Sequence, residues 1–281
     1  MIIWLASYPK SGNTLMRSIL SSYFFSKDGN FNFDLLKNIK QFPDNRLFKN
    51  LGVNTKNEKE VVKNYIKVQE EINKKDGGTI RFIKTHSAMH DINGYPFTDL
   101  KNTLGVIYIV RDPRKIINSY ANHADVSLVE AQNRILQIRT LGGNTELENK
   151  TIIHAGSWAS NYNSWKELKK INRYLLVKYE DLIKDPEAIF LSVVKFIERL
   201  TNKNLSIDNS KLKNTLKTTT FEYLQNLEKS KSFAESYSTT EGEIKFFKYG
   251  IKNDGKKNVP KSLRENIEKK LKFEMKELGY I

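Results

Sequence analysis

The sequence predicts a single α/β domain over residues 1–281, three layers deep (α/β/α), with a central, mostly parallel sheet and helices on both its faces. Three observations carry that expectation. Short apolar runs recur at 2–7, 79–85, 105–110 and 173–179, as buried strands require. Segments with apolar residues at helical spacing alternate with them. The chain also opens with a strand-like run, a turn containing Pro9 and Gly12, and a helical segment.

Taken in order, residues 2–7 form the first strand, and Leu15, Ile19, Leu20 and Tyr23 set the period of a helix over 14–24. Residues 27–56 are polar and show little periodicity. The stretch 58–74 reads as one helix, stopped by Asp76-Gly77-Gly78. The second strand is 79–85 and the third 105–110. Pro113 suits the first turn of a helix, where its missing N–H costs nothing. Trp158, Trp165 and Leu168 mark an amphipathic helix over 157–170, and 173–179 is the fourth strand. Asp185-Pro186 opens a helix through Phe190, Val193, Val194 and Ile197. Residues 230–258, rich in Lys, Ser, Gly and Asn, predict a long loop ordered by itself or by a ligand. Residues 260–278 close the chain as an amphipathic helix. There is no internal repeat.

Composition narrows the function classes. Hydrophobic residues make up 39% of the 281, enough for a core, and there is no cysteine, which excludes disulfides, thiolate metal sites and a cysteine nucleophile. His86, His90, His123 and His154 lack the spacing of a zinc cluster. No apolar run approaches a membrane span, and the N-terminus lacks the basic region of a signal peptide. The expectation is a cytoplasmic protein. The net charge of +15 favours an anionic partner. With no arginine-rich block and no zinc-finger, RNA-recognition or KH signature, nucleic acid is not the expected partner.

Three places hold chemistry. The turn Tyr8-Pro-Lys-Ser-Gly-Asn-Thr14 joins the first strand to the first helix, where backbone N–H groups and a helix N-terminus attract phosphate. Gly12 lets the backbone approach an anion, Ser11, Asn13 and Thr14 add donors, and Lys10 adds a full charge. The lysine precedes the glycine, so this is not the nucleotide-triphosphatase loop. An ordinary helix cap with a turn lysine accounts for the residues equally well. Arg111 leaves the third strand at the end where open α/β sheets bind ligands, and its planar fork suits a phosphate. Ser119 follows about two turns into the next helix. Alone, a capping Asp112 beside a surface arginine is the simpler reading, and Asp112 leaves a magnesium carboxylate open. On the second strand, Lys84 and His86 sit at i and i+2 and share a face. A neutral histidine can accept a proton, and a neighbouring lysine favours the neutral form. A packed histidine is the alternative.

Together these segments resemble the PAPS-dependent sulfotransferases. Residues 4–14 are similar to that family's 5′-phosphosulfate loop, close to YPKSGTTW, with Asn13 for a threonine and Leu15 for the tryptophan. Arg111 and Ser119, followed by Tyr120, resemble its RxPxxxxxS motif for the 3′-phosphate. Arg81–His86 resembles the strand ending K-T/V-H-L-P, with Ser87-Ala88 in place of Leu-Pro. The segment 177–182 resembles its YEDL, and 218–221 its T-x-F. Residues 247–250 fall at its R-K-G clamp, where Lys248 and Gly250 fit and Tyr249 does not.

The resemblance implies a P-loop-like fold and sulfuryl transfer from 3′-phosphoadenosine 5′-phosphosulfate (PAPS), with 3′,5′-ADP as product and no metal. The acceptor is a hydroxyl or amine on a small molecule or glycan. By the same resemblance His86 is the base; His90, close by in sequence, is the fallback. Lys10 meets the leaving group and Lys84 is a second electrostatic contact. Lys10, Ser11, Gly12, Asn13 and Thr14 hold the phosphosulfate, and Arg111, Ser119, Lys248 and Gly250 the 3′-phosphate. Tyr179, Thr219 and Phe221 hold the adenine. The second adenine-stacking aromatic has no match and is left to the region 27–57. The segments 27–57, 87–99 and 123–153 are expected to read the acceptor, and their polarity argues against a purely steroid-like one. An ATP-dependent P-loop kinase and a polyanion-binding protein are the other readings.

Overall fold

Ile2–Ser7 is buried at every position, and the central sheet is built around it. The computed structural model of the chain describes all residues but 75–79, 143–150, 232, 234–236, 240–241 and 248–258, and only the backbone of 237–239 and 242–244.

The strands are β1 (Ile2–Ser7), β2 (Arg81–Thr85), β3 (Asp91–Ile92), β4 (Tyr95–Pro96), β5 (Thr103–Val110), β6 (Thr140–Leu141), β7 (Ile153–His154), β8 (Tyr174–Lys178), β9 (Tyr237–Thr239) and β10 (Gly242–Ile244). The helices of the first half are α1 (Asn13–Phe25), α2 (Asn45–Lys49), α3 (Glu58–Lys63), α4 (Tyr65–Lys74), α5 (Pro113–Ala124) and α6 (Leu128–Leu136). Those of the second half are α7 (Trp158–Lys166), α8 (Tyr179–Lys184), α9 (Pro186–Thr201), α10 (Asn209–Thr218), α11 (Phe221–Ser230), α12 (Lys261–Lys270) and α13 (Lys272–Glu277). Among the described residues no helix is long and apolar enough to cross a membrane.

The four predicted strands form one sheet in the order β2-β1-β5-β8, with β1 parallel to both β2 and β5. Residues 40–42 extend its β2 edge. Lys84 N–H donates to the Lys40 carbonyl and Phe42 N–H to the Lys84 carbonyl, each at 2.8 Å.

The described residues gather into two units: 1–8, 39–109 and 137–177 in one, 9–38, 110–136 and 178–281 in the other. The chain passes from the first unit to the second just after β1, near the end of β5 and at the end of β8. Each passage falls at the carboxyl end of a sheet strand, the end from which ligand-binding residues issue in this fold class.

In the first unit Trp4 is fully buried, with ring centroids 5.7 Å from Phe42, 5.3 Å from Phe97 and 5.9 Å from Trp165. Its indole N–H donates to Thr103 Oγ1 at 2.9 Å, which satisfies the one polar atom that burial would penalise. Phe48 and Tyr65 pack on Phe42, so the aperiodic stretch 27–56 contributes large aromatic side chains to this core. In the second unit Phe31, Leu36, Leu224, Phe233 and Phe247 form a separate cluster, with Phe33, Phe221 and Phe246 against it.

Several expected boundaries move. The helix predicted over 58–74 breaks at Asn64, whose side-chain amide donates to the Glu60 carbonyl at 2.8 Å and closes α3. Ser157 caps α7 instead of starting it: Ser160 N–H donates to Ser157 Oγ at 3.1 Å, and Ser157 N–H to Ser160 Oγ at 2.8 Å. A 3₁₀ turn, Glu167–Ile171, follows α7. The fourth strand stops at Lys178, so Tyr179 opens α8. The last helix is interrupted at Leu271. In the predicted loop 230–258, β9 and β10 pair antiparallel.

Trp4→Ala removes the ring around which the first unit's aromatics meet, and the expected loss is about 3–5 kcal/mol. Urea unfolding with an unchanged m-value reads it, and a loss below about 1 kcal/mol contradicts the packing described.

Candidate functional site

The turn after β1 is shaped by backbone conformation. Lys10 and Gly12 are left-handed, with φ of 66° and 100°. Gly12 offers α1 no side-chain cap, and the first turn carries no acidic residue. The helix N-terminus therefore keeps its positive end uncompensated by side chains of its own cap. Ser11, Asn13 and Thr14 are buried, and Ser11 Oγ has no hydrogen-bond partner among the described residues.

Gly12 has a steric task that sequence reasoning did not foresee. A Cβ there would overlap the ring of Tyr179. The missing side chain admits an aromatic ring, a contact additional to the anion approach expected from the sequence. Arg111, 8% exposed, lies with its guanidinium carbon 4.4 Å from the centroid of the same ring. Its Nη1 donates to the Lys10 carbonyl at 3.3 Å, and its Nε has no partner. Burial raises the Tyr179 hydroxyl pKa, with Arg111 opposing the rise. Residues issuing from the carboxyl ends of β1, β5 and β8 thus meet at one point: Lys10, Arg111 and Tyr179.

Lys10 Nζ sits 3.8 Å from the centroid of Phe246. Phe246 was not singled out in the sequence, because it lies in a stretch without periodicity. Its only signal is its place just before the residues that resemble the R-K-G clamp. Ser119 is half-buried on α5, beside the buried Tyr120.

Asp112 is not an available metal ligand. It caps α5 through Arg114 N–H at 3.0 Å, and Arg114 Nε and Nη2 bind its two oxygens at 2.9 and 2.6 Å. Arg114 also donates to Glu268 at 2.5 Å and to the Tyr280 carbonyl at 2.9 Å, and its bonds to Asp112, the larger cause, and to Glu268 push its pKa up. The Tyr280 hydroxyl donates to Glu180 Oε2 at 3.2 Å, while Glu180 Oε1 accepts Asp112 N–H at 3.3 Å. The residue after Arg111 is held by Arg114 through its carboxylate and by Glu180 through its N–H.

On the expected adenine side, Thr219 is buried and commits its hydroxyl proton to the Thr215 carbonyl at 2.7 Å, leaving only acceptor capacity. Phe221 is half-buried, its ring 5.8 Å from Phe247. Lys248 and Gly250 lie outside the described residues.

The first unit holds His86. It lies just beyond β2, so the strand alternation that would put it on one face with the buried Lys84 no longer applies. Its Nδ1 is 2.9 Å from the Ser7 carbonyl and 3.2 Å from Ser7 Oγ. A carbonyl only accepts, so Nδ1 carries a proton, and in the neutral ring the lone pair is on Nε2. The loop that lacks the Leu-Pro pair is held by α7. Asn161 Nδ2 donates to the carbonyls of His86 and Ala155 at 3.0 and 2.8 Å, and Tyr108 OH donates to Asn161 Oδ1 at 2.8 Å. Trp165 Nε1 donates to the Ser87 carbonyl and Met89 N–H to Ser164 Oγ, both at 2.9 Å. His90 is exposed. His154 faces Glu58 at 3.2 Å, its pKa lowered by burial against the pull of that carboxylate. His123 lies edge-on to Phe246, centroids 6.0 Å apart.

With this geometry in view, the chain belongs to the sulfotransferase domain family, whose profile matches residues 2–279. It is 25% identical to the 3-beta-hydroxysteroid sulfotransferase of Cavia porcellus over 67% of this chain and 61% of that protein. It is 27% identical to Sulfotransferase 2A6 of Mus musculus over 62% of this chain and 57% of that protein. Each of these two alignments spans less than two thirds of the relative. Sulfotransferase 1E1 of Mus musculus is matched at 21% identity over 97% of this chain and 83% of that protein. The fold is shared with mouse sulfotransferase SULT7A1 complexed with PAP (TM-score 0.57, 16% identity, 97% of this chain and 83% of that one). It is also shared with retinol dehydratase in a complex with retinol and PAP (TM-score 0.54, 16% identity, 98% and 81%). The expected α/β architecture, with its central parallel sheet, is therefore that of the family.

Gly12→Ala combines left-handed strain of about 1–2 kcal/mol with displacement of the Tyr179 ring. The expected result is a lower melting temperature, partly restored when Tyr179→Ser is added. A Gly12→Ala chain that melts like the wild type contradicts the contact.

Proposed function

We propose that the chain, as one sulfotransferase domain over residues 1–281, moves a sulfuryl group from PAPS to a hydroxyl or amine of a small-molecule or glycan acceptor. One observation carries this reading: Arg111 donates to the backbone carbonyl of Lys10, so the turn and the strand end that the family resemblance assigns to the two ends of one nucleotide adjoin, although they are far apart in sequence. Ser11 Oγ and Arg111 Nε, buried donors without partners among the described residues, fit an anionic ligand. A buried donor left unpaired costs about 1–3 kcal/mol, and a phosphate oxygen removes that cost. Arg111, Ser119 and, from the sequence, Lys248 and Gly250 would hold the 3′-phosphate. Tyr179, Phe221 and the oxygen of Thr219 would face the base.

PAPS supplies a sulfuryl group joined to a phosphate that can leave. His86 accepts the acceptor's proton at Nε2, the nitrogen left basic by the Ser7 carbonyl. As the acceptor oxygen or nitrogen bonds to sulfur and the bridging S–O bond breaks, negative charge gathers on the departing phosphate. Lys10, the N–H groups opening α1, and Lys84 as a second cation meet that charge. Asp112, saturated by Arg114, gives the kinase reading no magnesium carboxylate at this strand end.

A thermal shift with 3′,5′-ADP is expected to exceed that with ATP and Mg²⁺. The reverse order favours a kinase. His86→Ala is expected to lower turnover by about 10²–10⁴ while leaving 3′,5′-ADP binding unchanged. Mass spectrometry of acceptor mixtures with PAPS, read as the gain of one sulfuryl group, measures it, and wild-type turnover removes His86 as base.

A further inference from the structure

We propose that Glu228 is a positioning residue for the anion-binding turn, acting through Phe246 on Lys10. The proposal rests on the reading of Lys10 as a contact of the donor's phosphosulfate. Glu228 lies on α11 and is only 7% exposed, an expensive place for a carboxylate unless donors satisfy it. Its two oxygens each accept a backbone N–H, from Phe246 at 2.6 Å and from Phe247 at 3.0 Å. Three residues earlier on the same helix face, Gln225 Nε2 donates to the Phe247 carbonyl at 2.8 Å. One face of α11 therefore grips both N–H groups and a carbonyl of this dipeptide, as a neighbouring strand would.

The grip has a direction. The ring of Phe247 is embedded in the aromatic cluster, 5.8 Å from Phe221 and 5.5 Å from Phe233. The ring of Phe246 meets the Lys10 ammonium at 3.8 Å, with His123 edge-on to it. The face of a phenyl ring attracts an ammonium yet carries no charge that would neutralise it. It holds Lys10 in place and keeps water from one side of the cation, so an arriving anion meets a fixed and less hydrated charge. A carboxylate is needed because two neighbouring N–H groups require two acceptor oxygens. An amide has one, and its NH₂ would oppose the other donor.

Isothermal titration with 3′,5′-ADP tests this, alongside melting temperature and amide hydrogen exchange. Glu228→Gln is expected to speed exchange at Phe246 and Phe247, to lower the melting temperature by a few degrees as one buried N–H loses its partner, and to weaken binding about tenfold. Phe246→Leu is expected to weaken binding similarly, and Phe246→Tyr, which keeps the ring face, to retain it. Because the two residues act in series, the double variant Glu228→Gln with Phe246→Leu should bind no more weakly than the worse single variant. Should Glu228→Gln fail to fold, the comparison of Phe246→Leu with Phe246→Tyr decides alone, and equal affinities overturn the proposal. Wild-type affinity in Glu228→Gln, or additive losses in the double variant, also overturn it. A wild-type chain that does not bind 3′,5′-ADP overturns the preceding reading of function, and this one with it.

Discussion

A guanidinium withdrawn from water demands compensation, and Arg111 receives only part of it from the protein. Its Nη1 has a carbonyl, its flat face has Tyr179, and its Nε has no partner among the described residues. Neither compensating group carries a formal negative charge. The arrangement is stable enough to form and is left with a deficit that an anion removes. The positions around it serve that one demand. Gly12 is small so that Tyr179 can lie beneath the cation, and the left-handed backbone of Lys10 belongs to the same turn whose carbonyl Arg111 takes.

Arg114, three positions further on, presents the opposite case. Its charge is met by Asp112 and Glu268, and its remaining bond goes to a backbone carbonyl near the end of the chain. One arginine is thus satisfied by the fold and the other only in part, although they stand on the same short segment. The satisfied one fixes the unsatisfied one, because Asp112, adjacent to Arg111, is clamped by Arg114 through its side chain and by Glu180 through its N–H. A buried pair of this kind contributes little net stability, and a role in holding geometry accounts better for its presence.

The parts of this architecture written in local sequence were legible. The apolar runs gave the sheet strands, since a strand buried on both faces needs a continuous run. Pro113 and Asp185-Pro186 marked helix starts, because a proline there loses no hydrogen bond. The motifs around Lys10 and Arg111 were legible because their residues are neighbours in sequence and carry the pattern of the family to which the chain belongs. What stayed hidden depends on partners far along the chain. Phe42 and Phe48 lie in an aperiodic stretch and become core only when Trp4 and Phe97 arrive. The tyrosine-over-glycine contact joins positions 12 and 179, and no periodicity announces it. Asp112 had two open readings, and only the approach of Arg114 and Glu180 chose the structural one.

The bond from His86 Nδ1 to the Ser7 carbonyl has a further consequence. An imidazolium donates from both nitrogens, so a proton captured on Nε2 leaves that bond intact. Neutral and cationic rings share one orientation, and the side chain can switch charge without a flip.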